Sequence, residues 1–81
     1  MSDHIPDLGA VARNIRILRA AGQLTQLDLA ERCQNVSQWH VSLIERGVLP
    51  TSLQLRQLAA ALNVAPNVLT GAPLVETEVG R

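Results

Sequence analysis

Lysine, phenylalanine and tyrosine are absent from this 81-residue sequence, which has one tryptophan, one cysteine and one methionine. The scarcity of aromatic residues, with apolar residues recurring at three and four positions rather than two, argues against a β-sheet core. The single Cys33 cannot form an internal disulfide, so no disulfide framework is expected, and a reducing cytoplasm is the economical setting. No apolar run approaches the roughly 18 residues that span a bilayer. Residues 1–7 are acidic and lack a signal-like apolar stretch. His4, Cys33 and His40 have no metal-ligand spacing. No Ser-His-acid set, paired carboxylate arrangement or glycine-rich phosphate loop is recognisable, so neither an enzyme nor a cofactor is expected.

What the chain does have is 47% hydrophobic against 17% charged residues, a globular balance at a length that provides one small core. The formal net charge is zero, but the charges are unevenly placed. Between Leu8 and Ala72 lie six arginines (Arg13, Arg16, Arg19, Arg32, Arg46 and Arg56) and three acids (Asp28, Glu31 and Glu45), a net of +3. Asp3, Asp7, Glu76 and Glu78 sit in the tails. A neutral total therefore leaves a nucleic-acid partner open, with a modest, salt-sensitive phosphate grip that rests on guanidinium groups, amides and helix N-termini.

The periodicity reads as all-α. Leu8, Val11 (or Ala12), Ile15 and Leu18 form one stripe of a first helix over 8–21, and Gly22 is placed as the left-handed residue that ends it. Thr25 with Asp28 three residues on resembles a capping box opening a second helix over 26–33, with Leu29, Ala30 and Cys33 inward. Gln34, Asn35 and Val36 break the chain. Ser37 caps a third helix over 38–46 carrying Val41 and Ile44, stopped by Gly47 and Pro50. Thr51 or Ser52 caps a fourth, with Leu55, Leu58, Ala59 and Leu62 buried, ending near Asn63. Pro66 suits the first turn of a short fifth helix through Leu69. The domain is expected to span 8–70, between tails at 1–7 and 71–81.

Two short helices joined by a brief break, with Ala30 small enough for close contact and Val36 and Val41 as packing anchors, describe a helix-turn-helix. The stretches LTQLDLAERC, VSQWHVSLIERG and PTSLQLRQLAAALNV resemble the Cro/C1-type (XRE) helix-turn-helix family over about Leu8 to Leu69. The resemblance implies a compact five-helix, lambda-repressor-like domain with the motif at helices 2 and 3. It also implies a DNA-binding transcription regulator, a repressor, an activator or both according to operator position, while arginine used to the exclusion of lysine, with abundant alanine and leucine, points to a GC-rich bacterial or phage genome.

A recognition helix must present polar groups from its N-terminal half, because base edges in the major groove carry the distinguishing donors and acceptors. Ser37, Gln38, Trp39, His40 and Ser42 fall there, and the Gln38 amide suits bidentate pairing with adenine. Gln26 matches a family position that grips phosphate, Thr25 beside it is a further candidate for DNA contact, and Arg46, with Arg13 and Arg16, is placed to reach the DNA backbone. Arg19 and Glu45 match a structural ion pair between helices 1 and 3. Relatives of this size dimerise through the helix 4 to helix 5 region, which corresponds here to Val64, Pro66, Asn67, Val68 and Leu69, with Leu74 and Val75 adding apolar area. A homodimer on a palindromic operator is the expectation, since one module reads only a few base pairs.

Three departures from the family pattern stand out. Gln34-Asn35 occupies the place of a single glycine, making the turn one residue longer. Val48-Leu49-Pro50 follows helix 3 where relatives often place lysine or arginine. Trp39 and Leu43 form an apolar pair on the helix expected to meet DNA, where thymine methyl groups are their natural contacts. Ile17, Leu27, Leu43 and Leu49 are apolar where the family tends to be polar, so the alternative reading is a module that binds a partner protein and acts on another regulator.

Overall fold

The computed structural model describes residues 9–71. Five helices run in order, α1 (Ala10–Ala21), α2 (Gln26–Glu31), α3 (Gln38–Glu45), α4 (Ser52–Ala61) and α5 (Pro66–Thr70), and no strand occurs among the described residues. The all-α architecture expected from the periodicity is what the chain adopts, with the five helices that the family resemblance implies. Leu8 and both expected tails, apart from Gly71, lie outside the described residues.

Local chemistry sets the start of three helices. Thr25, Ser37 and Thr51 are extended residues whose hydroxyls accept from the N–H three positions on, while the side chains of Asp28, His40 and Gln54 accept from the backbone N–H of the capping residue. Each box satisfies two donors that a helix start would otherwise leave without partners. α5 instead opens on Pro66, whose fixed φ and missing N–H suit a first helical position.

The end of α1 corrects one expectation. Gly22 stays at φ −87°, and Gln23 is the left-handed residue, at φ 58°. The helical hydrogen bonding runs through Gly22, whose N–H reaches the Leu18 carbonyl at 3.1 Å. The chain then reverses with Gln23 N–H donating to Ala20 and Leu24 N–H to Arg19, both at 3.0 Å, the paired bonds of a Schellman ending. The same pairing closes α3 around Gly47 (φ 115°) and α4 around Asn63 (φ 65°). α2 also ends earlier than expected, at Glu31, which leaves Cys33 in the turn.

The core draws on every helix: Val11 and Ile15 of α1, Leu29 and Ala30 of α2, Val41 and Ile44 of α3, Leu58 and Ala59 of α4, Leu69 of α5, with Val36 from the turn. Leu18, Cys33, Leu55 and Leu62 pack against it while partly exposed. A buried polar residue ties α1 to α5. Asn14 is fully enclosed, and its Nδ2 donates to the carbonyls of Val68 (3.2 Å) and Leu69 (3.1 Å), fixing α5 against α1. Asn14 lies three residues after Val11 on the same stripe, so a polar residue on an apolar face was the available signal.

Candidate nucleic-acid interface

α2 and α3 are joined by residues 32–37, and their packing is fixed at two levels. Leu29, Ala30, Val36, Val41 and Ile44 supply apolar contact between and beneath them. Above that layer, Glu45 at the end of α3 is a polar hub. Its buried carboxylate accepts from Arg19 Nε at 2.6 Å, Arg19 Nη2 at 3.0 Å and Gln26 Nε2 at 3.1 Å, so one side chain joins α1, α2 and α3. Its backbone carbonyl accepts from Arg16 Nη1. Arg19 also donates through Nη1 to the Leu24 carbonyl at 2.9 Å, which secures the loop before α2. The hydrogen-bonded Glu45 carboxylate raises the Arg19 pKa above its ordinary value.

With its inner face held in this way, α3 presents its first turn outward. Gln38 and Trp39 are exposed, Trp39 by 65%, while Ser42 and Leu43 one turn on are half-buried. The Trp39 and His40 rings meet edge to face with centroids 5.4 Å apart. His40, expected among the DNA-facing residues, also has a local role. Its Nδ1 accepts from Ser37 N–H at 3.0 Å, completing the box that starts α3, and this requires the tautomer with Nδ1 unprotonated. The Ser-x-x-His spacing lacks the Glu or Gln that usually signals such a box.

The remaining expected residues fall around this surface. Thr25 lies at the start of α2, exposed, with its hydroxyl accepting from Asp28 N–H at 2.9 Å. Asp28 Oδ2 in turn accepts from Thr25 N–H at 2.9 Å, and hydrogen bonding from the Thr25 backbone, then from its hydroxyl, holds the Asp28 carboxyl below the ordinary range. Gln26 is half-buried by its bond to Glu45. Arg46 is exposed, with Nε 3.4 Å from the Ser42 carbonyl. Arg13 is half-buried on α1, whereas Arg16 is exposed. Leu27, Val48, Leu49 and Leu53 are exposed as well. Cys33 is half-buried, and burial pushes its thiol up, toward the unreactive protonated form. Among the described residues there is no group of three side chains able to hold a metal ion, and no helix long and apolar enough to cross a membrane.

The residues assigned to self-association need one correction. Leu69 is fully buried in the protomer's own core and offers no surface to a second copy. Pro66 and Asn67 are exposed, and Val64 and Val68 are half-buried. Leu74 and Val75 lie outside the described residues.

Sequence reasoning missed Gln57 altogether. Its Oε1 accepts from the backbone N–H groups of Gln34 (3.1 Å) and Asn35 (2.8 Å), and its Nε2 donates to Asn35 Oδ1 at 2.9 Å. A glutamine on the polar side of an amphipathic helix gives no sequence signal for such a role.

Comparison with known proteins agrees with this geometry. The helix-turn-helix family model matches residues 15–69. The crystal structure of a hypothetical transcription factor, NHTF from Neisseria, is similar at a TM-score of 0.73 and 29% identity, covering 90% of this chain and 88% of that one. No curated protein matches the chain. With more than half of its length inside the family model, the chain belongs to the helix-turn-helix family, of the Cro/C1 (XRE) type.

Proposed function

We propose that this protein is a sequence-specific transcriptional regulator that acts by binding, not catalysis, and occupies a palindromic DNA operator as a homodimer with α3 in the major groove. The observation that carries this reading is the contrast between the two faces of α3. The inner face is fixed by Val41, Ile44 and the Glu45 hub, while Gln38 and Trp39 on the first turn face solvent. A rigidly held helix that exposes an amide at its N-terminal end is suited to base reading. Gln38 reads adenine, Trp39 and Leu43 meet thymine methyl groups, and Ser37, His40 and Ser42 line the same approach. Thr25, Gln26 and Arg46 are assigned to the flanking phosphates. Two such helices spaced by about 34 Å match successive major grooves, and the surface around Val64, Pro66, Asn67 and Val68 is assigned to the contact between copies.

The test is Gln38→Ala on the preferred operator. Loss of a bidentate base contact, worth about 1–3 kcal/mol, lowers specific affinity by about fivefold to 150-fold per half-site, with binding to random DNA unchanged. Undiminished specific binding would overturn the assignment of α3. A second reading rests on a different observation, the exposure of Leu27, Trp39, Val48, Leu49 and Leu53. These apolar residues suit a partner protein, and a chain that selects no DNA sequence would favour that function instead.

A further inference from the structure

The turn that aims α3 is six residues long, from Arg32 to Ser37, and its middle lies outside any helical ladder. Two consecutive backbone donors in that middle, Gln34 N–H and Asn35 N–H, converge on one acceptor, Gln57 Oε1, at 3.1 and 2.8 Å. The same amide returns a hydrogen bond from Nε2 to Asn35 Oδ1 at 2.9 Å, so both ends of the Gln57 side chain are engaged by one segment. Gln57 sits on α4 immediately before the fully buried Leu58 and Ala59, so its backbone is anchored in the core. Arg32, at the start of the turn, also points to α4, with Nη1 3.5 Å from the Ala61 carbonyl.

We infer that Gln57 is a positioning residue for the recognition helix, a clamp on α4 that sets the angle of α3 and thereby the selectivity of DNA binding. This rests on the DNA-binding reading above. Val36, the next residue along, is buried and forms the hinge point from which α3 starts. With Gln34 and Asn35 pinned on one side of Val36 and the Ser37–His40 box on the other, the entry to α3 has little freedom. Released from Gln57, the turn has two backbone donors that water satisfies in many orientations, and the direction of α3 varies. Phosphate contacts tolerate such variation, whereas bidentate base contacts do not.

The experiment has two arms. In the free protein, amide hydrogen exchange measured by NMR is compared for wild type, Gln57→Ala and Gln57→Glu. Gln57→Ala speeds exchange at Gln34 and Asn35 by about tenfold or more while the core amides of α1 and α3 keep their protection. Gln57→Glu retains the acceptor for both turn amides, which stay protected once the Asn35 amide turns over to donate its Nδ2 to the second carboxylate oxygen. In the second arm, affinity for the wild-type selected operator is divided by affinity for random duplex. Gln57→Ala lowers this ratio by about tenfold, the size of effect expected from misaligning one base contact, with random-DNA affinity unchanged. Gln57→Glu weakens binding to all DNA by adding a negative charge, yet preserves the ratio.

Unchanged exchange at Gln34 and Asn35 in Gln57→Ala would overturn the clamp. Faster exchange with an unchanged selectivity ratio would overturn its role in aiming α3. A wild-type chain that selects no sequence would contradict the DNA-binding reading and the selectivity assigned to Gln57, while the exchange arm still decides whether Gln57 holds the turn.

Discussion

Arg19 of α1 and Glu45 of α3 meet through two hydrogen bonds from one guanidinium to one carboxylate, at 2.6 and 3.0 Å, with the Glu45 side chain 5% exposed and that of Arg19 21%. Gln26 of α2 adds a third donor to the same carboxylate. Glu45→Ala removes the acceptor for all three and leaves a mostly buried cation unpaired. The expected loss is about 3 kcal/mol, toward the lower end for a broken buried pair because Arg19 keeps some solvent. Thermal unfolding should show a midpoint lowered by more than about 10 °C for a domain of this size. The double variant Arg19→Met/Glu45→Leu should recover over half of that loss, because no charge is then stranded.

The left-handed positions Gln23 and Gly47, with Gly22 beside the first of them, give a second expectation. Gln23 carries a Cβ at φ 58°, so Gln23→Gly should stabilise the protein by about 0.5–1 kcal/mol. Gly22 lies at φ −87°, and a Cβ there would meet its nearest atom, the Leu18 carbonyl oxygen, at 3.6 Å, an ordinary contact. Gly22→Ala should therefore be neutral or stabilising by up to about 0.5 kcal/mol. Gly47→Ala should destabilise by about 1 kcal/mol or more, since φ 115° strains any L side chain although the space around it is open. Denaturant titration of the three variants checks the order.

Much of this architecture is readable from the residues, for definable reasons. Helix starts are encoded by short-range chemistry, so Thr25 with Asp28 and the Ser37 cap can be seen directly in the sequence. The core follows from the three-four spacing of Val11, Ile15, Leu29, Val41, Ile44, Leu58 and their neighbours. The left-handed residue after α1 falls at Gln23 and not at Gly22 because glycine is only the commonest occupant of that position, and here the helical hydrogen bonding continues through Gly22 before the chain reverses. Roles that depend on tertiary proximity leave no local trace. Gln57 reaches residues 22 and 23 positions away, and the burial of Leu69 beneath α1 is decided by how α5 docks.

Stability should also fall in acid for a reason located at α2. The Asp28 carboxyl is held below its ordinary pKa by Thr25 N–H and the Thr25 hydroxyl. A folded-state pKa below the unfolded one means that the ionised box stabilises the native state above the unfolded pKa, about 3.9 for aspartate, and that this contribution disappears as pH falls through the folded value. Asp28→Asn should therefore be less stable than wild type at pH 7, with the gap narrowing below about pH 4. Urea unfolding of both proteins across pH 2.5–7 checks the sign, and a gap that widens in acid would contradict it.

Selection from a random duplex library at about 100 mM salt tests the central claim most directly, because specific sites bind about 10³ to 10⁷-fold more tightly than random DNA. The expected result is one enriched motif with two-fold symmetry, half-sites centred about one helical turn apart, and A·T pairs in each half-site where Gln38, Trp39 and Leu43 reach the bases. Retention that is weak, shows no enriched sequence and disappears as salt is raised would contradict it, and would leave the exposed apolar surface around Trp39 and Leu27 as the functional face.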